Sequence, residues 1–169
     1  MNRLSVRLPC HATALALVLM AGALPALGQT CSVSSTGANF GNYDYANGNS
    51  TTGTVTLSCS LALLNNVTLA LSAGVASGAT TSNRMMSQQL PAGVDRLNYG
   101  LFQNATVGPL CAGGIVWGNT AATEPAPIGT LFIFPAFPHS WTVYACLPAN
   151  QDVTVATYAD TITATVAWQ

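Results

Sequence analysis

The sequence predicts an all-β domain built as an antiparallel sandwich. Apolar and polar residues alternate with period two in several short runs, turn-forming clusters separate those runs, and no stretch sustains a helical period. The first run is Thr54-Val55-Thr56-Leu57-Ser58-Cys59, where Val55, Leu57 and Cys59 face one way and the Thr/Ser set the other. The second repeats the pattern, with Val67, Leu69 and Leu71 opposed to Thr68, Ala70 and Ser72. Further strands are expected at Leu97 to Phe102, Ile115 to Trp117, Thr130 to Phe134 and Trp141 to Leu147. The last is Thr161 to Trp168, in which Ile162, Ala164, Val166 and Trp168 make one apolar face. Asn47-Gly48-Asn49-Ser50, Ser72-Ala73-Gly74 and Ala112-Gly113-Gly114 supply turns between runs. Asn83 to Leu90 is expected to form one helical turn, or two at most.

The N-terminus reads as an export signal. Arg3 and Arg7 give a positive start, Ala12 to Leu24 form an apolar stretch, and Ala26-Leu27-Gly28 supplies the small residues of a cleavage site. The apolar stretch is well short of the ~20 residues that a spanning helix needs. Cleavage is expected after Gly28, which makes residues 1–28 a signal peptide and 29–169 one domain.

Cys10 leaves with the signal, so Cys31, Cys59, Cys111 and Cys146 remain. An even number in an exported chain points to disulfides, and four cysteines allow three pairings among which sequence does not choose. The expected pairing is Cys31 with Cys59 and Cys111 with Cys146, because each pair would tie neighbouring candidate strands. Loops of these lengths would each contribute roughly 3 to 4 kcal/mol on the chain-entropy account. A metal site is a weak rival, since no Cys-x-x-Cys or Cys/His cluster has ligand spacing and His139 stands alone.

The charges exclude whole classes of partner. With the signal removed, only Arg84 and Arg96 stand against Asp44, Asp95, Glu124, Asp152 and Asp160, and there is no lysine. Such a chain has no electrostatic footprint for nucleic acid and no polybasic segment for anionic membranes. Catalysis fails on supply. Serine chemistry needs a base held by an acid, and the lone imidazole in Pro138-His139-Ser140-Trp141 has no partner. The acids sit in polar or turn-like contexts where capping or solvation explains them. Gly113-Gly114 lacks a phosphate-loop motif around it, and no cofactor is expected.

An ordered set of short motifs carries a resemblance. Cys31-Ser32-Val33, Phe40-Gly41-Asn42-Tyr43, Thr54 to Cys59, Asn83-Arg84-Met85-Met86, Leu97-Asn98-Tyr99-Gly100-Leu101-Phe102, Trp117-Gly118, Thr142-Val143-Tyr144 and Tyr158-Ala159-Asp160-Thr161-Ile162-Thr163 together resemble the spore coat protein U domain. That family includes subunits of archaic chaperone–usher pili. The resemblance implies an incomplete immunoglobulin-like sandwich lacking its final strand. A periplasmic chaperone would first fill the groove, and a neighbouring subunit's arm would replace it after delivery to an outer-membrane usher. Physically this is β-augmentation, with main-chain hydrogen bonds for affinity and alternating side chains for specificity. The groove walls are expected at Ile162, Ala164, Val166 and Trp168 on one side and near Cys31 and Val33 on the other. Ala145 and Thr157 stand where the family commonly has glycine, and the second cysteine pair is not a general family feature.

Only Gln29 and Thr30 separate the expected cleavage site from Cys31. Two residues cannot fill a groove, so the subunit is expected to accept a strand without giving one, a geometry that fits a tip or chain-initiating position. Leu131-Phe132-Ile133-Phe134-Pro135-Ala136-Phe137-Pro138 is the most hydrophobic mature stretch. Its prolines would interrupt a strand, and a projecting loop would expose Phe134 and Phe137 as an adhesive patch; core filling is the competing reading. Two other functions compete with the pilus subunit. One is a secreted coat protein that self-associates on a spore, cyst or cell surface. The other is a carbohydrate-binding module stacking sugars on Trp117, Trp141 and Tyr99.

Overall fold

The computed structural model describes residues 31–59, 67–106, 108–118 and 138–167, the side chain of Cys59 excepted. The export signal, the strand expected at 130–134, Phe134, Phe137 and Trp168 lie outside the described residues. In chain order the strands are β1 (Cys31–Thr36), β2 (Asn49–Cys59), β3 (Thr68–Leu71), β4 (Arg84–Leu90), β5 (Arg96–Phe102), β6 (His139–Leu147), β7 (Thr157–Ala159) and β8 (Ala164–Ala167). Six of them form one sheet in the order β1-β2-β6-β5-β4-β7, and β3 pairs with β8 in a second. Every ladder is antiparallel.

Alternation decides which face of each strand turns inward. Val55 and Leu57 of β2, Leu69 and Leu71 of β3, Leu97, Tyr99 and Leu101 of β5, and Trp141, Val143, Ala145 and Leu147 of β6 are buried between the two sheets. Leu57 and Leu69 are fully enclosed. Burial of a side chain of this size contributes about 1.5–3 kcal/mol, so the facing rows account for the cohesion of the two layers. The aromatic residues join this core: Trp117, Trp141 and Tyr99 are all buried, and the Trp117 indole Nε1 donates to the Leu69 carbonyl at 3.0 Å. The exposed stacking platform that a sugar-binding reading needs is therefore not formed by these three rings. His139 opens β6 and packs edge-on against Trp141 on the same strand face, with ring centroids 4.6 Å apart.

Two local expectations are corrected. Residues 84–90 form a strand, not a helical turn: the pairs Arg84↔Tyr99, Met85↔Asn98, Met86↔Leu97 and Ser87↔Arg96 place them beside β5. Unbranched Met and Gln favour helix on propensity alone, and the available ladder overrides that preference. Ile115 to Trp117 is not a strand but a single bridge, Phe102↔Val116, flanked by hydrogen bonds from Gln103 N to Ile115 O and from Trp117 N to Leu101 O, both 2.9 Å. The segment takes the place beside β5 that lies beyond the start of β4. It leaves at once for the other sheet, where Gly118 O accepts from Leu71 N at 3.0 Å.

Cys111 and Cys146 are joined, with Cα atoms 5.9 Å apart, and the bond ties the 103–118 segment to the end of β6. Cys31 is disulfide-bonded, and the backbone of Cys59 lies directly opposite it in the β1–β2 register. A Cys31–Cys59 bond is a proposal resting on that register, because the Cys59 side chain is outside the described set. Replacing Cys111 and Cys146 together by serine is expected to lower stability by about 2–4 kcal/mol. Chemical unfolding of the oxidised protein against the double variant measures this, and superimposable curves would show that the bridge does not constrain the unfolded chain.

Candidate functional site

The two sheets are unequal. Among the described residues six strands face two, and a cleft of about 950 Å³ opens between the layers. Its floor is the hydrophobic core itself, with Val55, Leu71, Met86, Leu97, Leu101 and Val143 reaching it. One wall is the end of β1, Ser35 and Thr36, with the following 37–43 segment; the other is the 153–164 segment leading into β8, including Ile162 and Ala164. These floor side chains are themselves buried, whereas Ile162 and Ala164 of the wall are only partly enclosed, and an apolar occupant of the cleft would complete their burial.

The wall at β8 also has unfinished hydrogen bonding. β8 pairs with β3 along one edge, through Thr68↔Ala167, Leu69↔Val166, Ala70↔Thr165 and Leu71↔Ala164. Among the described residues no strand lies along its second edge. Along this run Ile162, Ala164 and Val166 are half-buried against the core, whereas Thr161, Thr163, Thr165 and Ala167 are exposed. An extended segment laid beside β8 would find main-chain groups to pair with and a greasy floor for every second side chain.

Of the residues expected at the groove, Ile162 and Ala164 line the cleft. Val166 follows on the same inward face. Val33 sits two residues before Ser35 on β1, opposite Leu57, and is 46% exposed; Trp168 is outside the described residues. Sequence reasoning missed the floor residues as site residues, along with Phe40 and Tyr43 of the opposite wall and Tyr99 and Asp160 within the cleft. The Tyr-x-Asp motif was the available signal for Asp160.

Polar groups hold the walls. Arg84 on β4 is fully buried and donates to four backbone carbonyls: Nε to Ser72 at 2.9 Å, Nη1 to Thr81 at 2.6 Å, and Nη2 to Leu71 at 3.1 Å and Trp117 at 2.7 Å. Burial pulls its guanidinium below the ordinary arginine value, and the nearby Tyr99 and Asp160 oppose that shift. The Tyr99 hydroxyl donates to Asp160 Oδ2 at 2.7 Å. Desolvation first, and then the Asp160 carboxylate, push that phenol well above the tyrosine range, so it remains a donor. At the lip of the cleft, Thr154 donates both its amide and its hydroxyl to Asp95 Oδ2, which holds the Asp95 carboxyl below its usual value. Across from it the Tyr43 hydroxyl donates to Pro148 O at 2.8 Å and accepts from Gln151 N at 2.9 Å. No group of three or more His, Cys, Asp or Glu could hold a metal among the described residues. The cleft has the length of exposed edge and the apolar floor that an extended apolar segment would need.

Comparison with known proteins adds three findings. The Spore Coat Protein U domain family model matches residues 14–165. Protein U of Myxococcus xanthus is 32% identical over 151 residues, which are 83% of this chain and 78% of that relative. Among solved structures, a chain of the CsuC–CsuE chaperone–tip adhesion subunit pre-assembly complex, from the archaic chaperone–usher Csu pili of Acinetobacter baumannii, superposes with a TM-score of 0.52 at 18% identity. The match covers 82% of this chain and 39% of that one, so this chain spans about two fifths of its structural neighbour.

Proposed function

The chain belongs to the Spore Coat Protein U domain family, and we propose that it is a structural or adhesive subunit of a chaperone–usher surface pilus whose sandwich accepts a strand from a partner. The single observation that carries this reading is the second edge of β8, along which no strand lies among the described residues, beside a cleft floored by core residues. A periplasmic chaperone is the first partner proposed, and a neighbouring subunit delivered through an outer-membrane usher is the second. The likeness to a chain of a chaperone–subunit complex supports the shared fold, and the partner assignment rests on the cleft. The proposed route is export through the periplasm to the cell surface.

The tip or chain-initiating position is a finer proposal, supported by the two residues between the expected cleavage site and β1. N-terminal sequencing of the exported protein tests it, and a start well upstream of Gln29 would remove its basis. Phe134 and Phe137 are proposed as adhesive residues; cells carrying Phe134→Ser with Phe137→Ser should assemble the subunit normally and adhere less.

A second reading is favoured by the family description and by the 32% identity to Protein U: a secreted coat protein in which a second copy fills the cleft. One experiment separates the two. The oxidised mature chain is purified from a periplasm with and without a candidate pilus chaperone, and its thermal unfolding is measured. Recovery only as a chaperone complex, with the free chain aggregating or melting low, supports the pilus subunit. Stable self-association without a chaperone supports the coat protein. A stable, cooperative monomer would mean that the sandwich is complete and would end both readings.

A further inference from the structure

Arg84 and Tyr99 stand directly opposite each other on β4 and β5, and both reach across the sandwich to the small sheet. Arg84 takes the end of β3, through the carbonyls of Leu71 and Ser72. Tyr99 takes the approach to β8, through Asp160. The Asp160 carboxylate gathers donors from three places. Oδ2 accepts from Tyr99, and Oδ1 accepts from Val75 N at 2.9 Å and Thr161 N at 2.8 Å. The 73–75 turn closes onto it only because residue 74 is glycine: its φ is +99°, and a Cβ there would stand 2.0 Å from Asp160 Oδ2. Ser72 continues the tie, its amide donating to Thr163 O at 3.0 Å and its Oγ accepting from Thr163 N at 2.9 Å.

Tyr99 and Asp160 both line the cleft, and Asp160 lies two residues before Ile162 and four before Ala164. We infer that the Tyr99–Asp160 pair is a positioning device that fixes the strand-accepting edge of β8 at a set distance from the six-stranded sheet. This rests on the strand-accepting reading above. Without the hydrogen bond, the 160–163 run keeps its bonds to Ser72 and Val75, and β8 its ladder to β3, but the run loses its direct tether to β5. The edge would then drift relative to the floor, and an incoming strand would meet main-chain groups and apolar pockets that no longer share one spacing. Arg84 still holds β3, so the loosening is confined to the cleft side.

The test uses the complex of the mature chain with the candidate periplasmic chaperone, comparing wild type with Tyr99→Phe and Asp160→Asn. Amide hydrogen exchange is followed by mass spectrometry in peptides covering 160–167 and, separately, β2 and β6. The expected result is exchange about tenfold faster in 160–167 for Tyr99→Phe, with β2 and β6 unchanged, and faster chaperone release. Three results overturn the inference: unchanged exchange in 160–167, a rise shared equally by β2 and β6, or recovery of wild type with neither variant captured. The last two would make the pair a tie for the whole fold. Failure of wild type itself to be captured would sink the strand-accepting reading, and this inference with it.

Discussion

Replacing Arg84 by methionine is expected to lower the stability of the domain by about 3–5 kcal/mol, a large fraction of the ~5–15 kcal/mol by which an ordinary domain is stable. The side chain is fully buried and its donors satisfy the carbonyls of Ser72, Thr81, Leu71 and Trp117. Methionine fills the volume and satisfies none of them. Each buried carbonyl left without a donor costs about 1–3 kcal/mol, and the bonds to Leu71 and Trp117 are wholly buried. Those two carbonyls belong to different segments, the end of β3 and the bridge segment beside β5, which are also joined by the bonds from Trp117 Nε1 to Leu69 O and from Leu71 N to Gly118 O. Losing the guanidinium therefore weakens the tie between the sheets at one end as well as stranding polar groups. Arg84→Lys tests geometry against charge, since a lysine keeps the charge but lacks the planar fork that spans four acceptors. It is expected to recover a minor part of the loss. Equilibrium unfolding in denaturant measures both variants, and a midpoint for Arg84→Met within error of wild type would show that the carbonyls find other donors.

Arg84 also marks where sequence reading stopped. Charged residues are read as surface until a structure encloses one, and no pattern around Asn83-Arg84-Met85-Met86 announces four carbonyl acceptors drawn from positions 71, 72, 81 and 117. The elements that were legible are those with an apolar and a polar face: β2, β3, β5 and β6 alternate visibly because one side of each meets the core. β4 was misread because its Met-Met-Ser-Gln-Gln core carries no β-branched residue. β1 is nearly all exposed and polar, so it has no alternation to read; only its place in the family motif pointed to it.

The cleft was legible only through the resemblance. An inward-facing Ile162 or Ala164 gives the same pattern whether it is fully enclosed or left partly open, because alternation reports direction and not cover. What distinguishes the two is strand count across the layers, and that is a property of the whole topology. The half-burial of Ile162, Ala164 and Val166 is the local trace of it: the same face that sequence assigns to a core is here only partly enclosed.

Replacing Ala164 by aspartate should abolish capture by a chaperone while Thr165→Asp leaves it nearly intact. The two residues are neighbours on β8, and the pleat turns them to opposite faces: Ala164 lines the cleft, and Thr165 is exposed. A carboxylate at 164 would be sealed against Leu71 and the rest of the apolar floor once a strand covered it, with no cation to pair with among the described residues that line the cleft. The unbound chain can leave that charge in water, so the penalty falls on the bound state. At several kcal/mol it exceeds the ~2.7 kcal/mol that corresponds to a hundredfold loss of affinity. A carboxylate at 165 stays solvated in both states, and the main-chain groups that would pair are the same in both variants. Co-purification from the periplasm, with the unfolding midpoint of each free chain as control, decides the matter. Equal loss at 164 and 165 would mean that the outer face of β8, and not the cleft, meets the partner; normal capture of Ala164→Asp would mean that no strand seals this cleft.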